Sequence, residues 1–119
     1  MSFHTVTNVT KHNIIADKVK LANTFMSRLV GLIGRSSLSE QEGLIITHCN
    51  SIHMVFMRFP IDVVFLDKVN KVVGLVKSIK PYRLSAIFFK ASYAVELPSG
   101  SIISNDIKIN DVIEIKQNI

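Results

Sequence analysis

From Leu44 to Lys116 the chain runs through short segments rich in Val, Ile and Phe, each closed by a turn residue. Runs of this length and composition are too short for core helices and have the size of β-strands. They cover Leu44 to Thr47, Ser51 to Met57, Asp62 to Leu66, Val72 to Ile79, Ser92 to Leu97, Ser101 to Ser104 and Asp111 to Lys116. Asn70, Pro81, Pro98-Ser99-Gly100 and Asn110 separate them. Close spacing with turn signals predicts a mainly β, α+β fold: a small antiparallel β-sandwich or jelly-roll-like, partly closed barrel.

The first third reads differently. Phe3 to Val9 alternates as a strand does, Lys11-His12-Asn13 forms a turn, and Ile14-Ile15-Ala16 supplies a short return strand. Asp17 is then a good N-cap. Leu21, Phe25, Leu29 and Leu32 follow at helical spacing, so one α-helix is predicted over roughly 18–31 in the N-terminal half. Asp67 to Lys71 should turn a hairpin between two strands.

At 119 residues, 48% of them hydrophobic, the chain has material for one core. One domain, 1–119, is expected. The single cysteine, Cys49, excludes an internal disulfide framework. The N-terminus reads without a signal peptide, and no apolar run nears the ~18 residues of a membrane helix. A cytoplasmic protein without a membrane partner is the expectation.

Net charge is +5, and the excess is local. Lys68, Lys71, Lys77, Lys80, Arg83 and Lys90 follow one another with no acid between them. A solvated lysine-rich face accounts for them. Nucleic acid is the weaker reading, because aromatics do not interleave the lysines as stacking platforms would. Phe88-Phe89 beside Lys90 would mark a protein contact surface if exposed.

Polar side chains concentrate between His48 and Asp62. Cys49 and His53 are four apart, about 13 Å on an extended strand, too far for a nucleophile pair unless the strand bends. Ser51 and His53 share a face and could hold a water or ligand. His48 and His53 face opposite sides of a straight strand, and no CxxC or HExxH motif is present, so no metal site and no cofactor is assigned. A turn at Pro60 would bring Arg58 to Asp62. Asp62 and Glu96 each sit in apolar runs and need partners if buried. Ion pairs tying helix to sheet explain these charges structurally. A polar or anionic ligand cleft, with Arg28 or Arg58 as its charge, explains them functionally. An Asp62–Glu96 pair could also do acid–base work.

Arg28-Leu29-Val30-Gly31-Leu32, Gly43-Leu44, Ser51-Ile52-His53, the block from Met57 to Asp67, Val73-Gly74 and Glu96-Leu97-Pro98-Ser99-Gly100 resemble the domain-of-unknown-function 192 family. The likeness spans nearly the whole chain. It implies a compact, mainly β, jelly-roll-like domain with a short helix, and no activity. Many members of that family carry an export signal or anchor; none is expected here from the reading of the N-terminal residues. Where the family usually has Gly-Asp, this chain has Asn110-Asp111; Asn tolerates a left-handed turn. The resemblance and the residues together give Arg28, Ser51, His53, Met57, Arg58, Asp62 and Glu96 as ligand-site candidates. A small binding module is the leading functional expectation. An accessory protein-interaction domain and a small-molecule hydrolase are the alternatives.

Overall fold

The structure, a computed structural model, describes residues 3–22, 37–49, 58–81 and 83–119. Its strands are β1 (His4–Asn8), β2 (Asn13–Ala22), β3 (Glu42–Thr47), β4 (Ile61–Leu66), β5 (Val72–Ile79), β6 (Tyr93–Pro98) and β7 (Ile113–Gln117). A four-residue helix, α1 (Ser101–Ser104), lies between β6 and β7. All seven strands form one sheet in the order β5-β4-β6-β3-β2-β1-β7. The sheet curls into a half-barrel, so the mainly β, partly closed architecture is as expected. Its pairs are antiparallel except β2 with β3, which run parallel.

The two sheet edges meet at one end. Lys71 bridges Val112, Val72 N–H donates to the Asp111 carbonyl at 2.9 Å, and Asn110 N–H donates to the Val72 carbonyl at 2.8 Å. These bonds occupy edge groups that would otherwise be open to another chain. Asn110 takes φ 75°, the left-handed geometry for which glycine is the usual residue.

The interior of the curl is lined mainly by apolar side chains. Val6, Val19, Ile45, Val64, Leu66, Val95, Leu97 and Ile113 face inward, and Ile102 and Ile107 close over them from the α1 segment. The other face of the central strands is apolar too: Leu44, Ile46, Ile61, Val63, Phe65 and Ala94 pack there with Phe59 and Phe88. Burial on both faces explains why β4 reads as a continuous apolar run.

Two elements differ from the sequence expectation. Asp17 caps no helix, and residues 18–22 of the predicted helix belong to β2, paired with β1 and β3; residues 23–31 lie outside the described residues. Of the stripe that predicted the helix, only Leu21 lies among the described residues, and it is exposed on a bulged strand. His4 pairs Val19, Val6 pairs Ala16 and Thr7 pairs Ile14, so the β2 side carries extra residues twice. Its buried positions become Ile15, Ala16, Val19 and Ala22, whose spacing mimics a helix. Ser101 to Ser104, expected as a strand, is α1. Gly100 turns left-handed at φ 96°, and Ser104 N–H then donates to the Gly100 carbonyl at 3.0 Å. The predicted strand over Ser51 to Met57 lies outside the described residues.

Candidate functional site

Arg28, Ser51, His53 and Met57 lie outside the described residues. The structure places the other candidates unequally. Arg58 is exposed, and the next residue, Phe59, packs on the outer apolar cluster. No Arg58–Asp62 ion pair forms among the described residues. Asp62 is 1% exposed and fully committed. Its Oδ1 accepts from Ser78 N–H and its Oδ2 from Ile102 N–H, each at 2.8 Å.

Both Asp62 bonds follow from local geometry. Ile61 pairs Ile79 and Val63 pairs Val76, so Lys77 and Ser78 together oppose Asp62. This bulge holds Ser78 at φ 49°, and the Asp62 carboxylate accepts the Ser78 N–H. Ile102 N–H belongs to the first turn of α1, where the helix itself offers no acceptor. Asp62 therefore ties β4, β5 and α1 together.

Glu96 is the opposite case. It is 4% exposed, and its Oε1 meets no hydrogen-bond partner among the described residues. Its cross-strand neighbours are Leu44 on β3 and Val63 on β4. Both belong to the outer apolar cluster. Burial in that hydrocarbon pushes the Glu96 carboxyl up to about 7. A neutral carboxyl there offers a donor and an acceptor; an ionised one offers acceptors only.

Glu96 and Asp62 do not share a centre. Asp62 pairs Leu97, and Val63 pairs Glu96. Strand side chains alternate faces, so Asp62 points with Leu97 into the curl and Glu96 points to the outer side. Acid–base work by the two together is not available to this fold.

Residues 98–101 border a cleft of about 570 Å³ that Glu40, Gln41 and Asn105 also wall, and Glu96 is not among its lining residues. Much of its polar wall is already bonded. Ser101 Oγ donates to the Pro98 carbonyl at 2.6 Å, Asn105 Nδ2 donates to the Ser101 carbonyl at 2.9 Å, and the Ser99 and Ser78 hydroxyls bond each other. Cys49 is half-buried against the outer cluster. Among the described residues no group of three or more His, Cys, Asp or Glu is placed to hold a metal ion.

Sequence reasoning missed one buried charge. Asp111 is 5% exposed. Its Oδ2 accepts from Asn8 Nδ2 at 2.8 Å and from Lys11 Nζ and Lys108 N–H at 3.0 Å each. Burial alone would raise this carboxyl; the bonds from Asn8, Lys108 and Lys11 outweigh it and hold the group below the ordinary carboxylate range. Two of the three partners, Asn8 and Lys11, lie about a hundred positions away in sequence, and no periodicity links them to Asp111.

The fold is a curled, mainly β half-barrel with a buried carboxyl that meets no partner among the described residues, and comparison with known proteins shows its family. The family profile described as Uncharacterized ACR, the domain-of-unknown-function 192 family, matches residues 5–115, and the chain belongs to that family. A UPF0127 protein of Thermococcus sibiricus is 37% identical over 111 residues, covering 90% of this chain and 71% of that one. A UPF0127 protein of Pyrococcus furiosus is 36% identical over 113 residues, covering 90% and 94%. A protein of unknown function from Novosphingobium aromaticivorans has a similar fold, with TM-score 0.80 at 22% identity, covering 93% of this chain and 82% of that one. No helix among the described residues is long and apolar enough to cross a membrane.

Proposed function

We propose that the chain is a cytoplasmic, one-domain binding module that takes a small polar ligand against Glu96 on the outer face of the sheet. The buried Glu96 Oε1, which meets no hydrogen-bond partner among the described residues, carries this reading. Leaving a polar group unbonded in an apolar site costs about 1–3 kcal/mol, more if it is charged. A ligand that brings a donor to Glu96 recovers that cost. An amine or guanidinium would also draw the carboxyl down into its ionised form. A ligand that offers only an acceptor would need the protonated form, which is populated below about pH 7. Arg28, Ser51, His53, Met57 and Arg58 are assigned to the same site on the sequence pattern. Asp62 belongs to its frame, since both carboxylate oxygens already accept backbone bonds.

Thermal-shift screening with amino acids, polyamines, sugars and nucleotides tests the proposal. Compounds that stabilise the wild type should lose their effect in Glu96→Gln, and should weaken in His53→Ala and Arg58→Ala. Compounds that stabilise all four proteins equally, or none that stabilises the wild type, would remove the site.

A further inference from the structure

Phe88 and Phe89 are neighbours in sequence and opposites in the fold. Phe88 turns inward and stacks on Phe65 with ring centroids 4.5 Å apart. It lies over Gly74, where any Cβ would come closer than 3.0 Å to the ring. Phe89 is 86% exposed. The Phe88 carbonyl accepts from Ala91 N–H at 2.8 Å, which makes Phe88 to Ala91 a hydrogen-bonded turn with Phe89 and Lys90 at its tip. Leu84 and Ile87 are 76% and 54% exposed in the same loop. Exposed Lys80, Arg83 and Lys90 flank these three apolar side chains. Solvent-facing Leu, Ile and Phe crowded into so few residues mark a contact surface rather than scattered surface apolarity. An apolar centre with a charged border is also the layout of protein interfaces.

We propose that the loop over residues 83–90 docks this chain onto an acidic protein, with Phe89 entering an apolar pocket whose acidic border meets Arg83 and Lys90. The sign of the partner follows from charge. Six cations lie between positions 68 and 90, and no acid lies among them. Its nature follows from rigidity. The Phe88 anchor and the turn fix the backbone at Phe89 before binding, which reduces the ordering cost of fitting a shaped pocket. A fluid bilayer gains little from a fixed backbone. The cationic border steers the encounter and suppresses basic partners. Phe88 anchors the loop on the same outer cluster that buries Glu96, but the proposal uses only the exposed side chains at the loop's tip, and its failure would leave the Glu96 reading untouched.

A phage-displayed random peptide library selected on the full chain tests the proposal. The recovered peptides should combine acidic and apolar residues. Their affinity should fall about tenfold or more in Phe89→Ser, as for a truncated interface anchor. It should fall further with salt, and in Arg83→Glu/Lys90→Glu. Phe89→Ser should keep the wild-type melting temperature, because its ring makes little contact with the fold, and Glu96→Gln should bind these peptides unchanged. Selected peptides without acidic bias, or peptides that bind Phe89→Ser as tightly as wild type, would overturn the proposal. So would Phe89-dependent binding to phosphatidylserine vesicles without binding to acidic peptides.

Discussion

Replacing Glu96 by glutamine should remove most of the loss of stability this protein suffers between mildly acidic and mildly basic pH. The carboxyl is raised from 4.5 to about 7 in the folded state by burial. Below about pH 4.5 it is protonated in both folded and unfolded chains, and no penalty arises. As pH rises, the unfolded chain releases this proton first and gains relative to the fold. The loss grows until the folded group ionises too, near pH 7, and is constant above. At ~1.36 kcal/mol per pH unit, the displacement costs roughly 3 kcal/mol. Glutamine does not titrate, so Glu96→Gln lacks this slope. Its amide also places an unpartnered donor in the same apolar site, at about 1–3 kcal/mol independent of pH. The comparison is therefore between slopes and not between absolute stabilities. Urea unfolding of both proteins, followed by circular dichroism from about pH 4.5 to 8, reads it directly. The wild type should lose roughly 3 kcal/mol more than the variant over that interval. Parallel profiles would refute the claim that Glu96 sits unpartnered in hydrocarbon.

Other carboxylates should respond differently. Asp62→Ala strands the Ser78 and Ile102 N–H groups and should cost roughly 2–4 kcal/mol in urea unfolding, from two lost charge-assisted bonds; a loss below about 0.5 kcal/mol would deny its frame role. Asp111→Asn should destabilise by roughly 2–3 kcal/mol at neutral pH. Its carboxyl is lowered in the fold, so the stability it supplies is present above the ordinary carboxylate range and disappears as pH falls through its folded value. The Asp111→Asn deficit should therefore shrink in acid; a deficit constant with pH would contradict the bonds from Lys11 and Lys108.

The strands that announced themselves in the sequence are those whose residues need no distant context. Val72 to Ile79 appears with the bounds its composition implies, and the turn after Leu66 is fixed by Asp67, whose Oδ1 accepts from Val69 and Lys71 N–H. The misreadings come from tertiary geometry. Leu21 opens an apolar stripe at helical spacing, yet residues 18–22 pair with β1 and β3, and one left-handed glycine turned an apolar Ser-Ile-Ile-Ser strand pattern into α1. Glu96 was legible as a carboxyl in an apolar run, but its lack of a partner among the described residues was not, since that depends on what Leu44 and Val63 bring across the sheet. Asp62 carried the same sequence signal and turned out fully bonded. Register alone separates them: one residue along β4 moves the side chain from the inside of the curl to the outside.

An NMR titration of the Glu96 side-chain carboxyl carbon, in the full chain without added ligand, addresses the site most directly. An unspent acid held in hydrocarbon predicts a midpoint about 7. A midpoint at the usual glutamate position, near 4.3, would mean that water or an opposite charge already reaches the group, leaving nothing there for a ligand to satisfy.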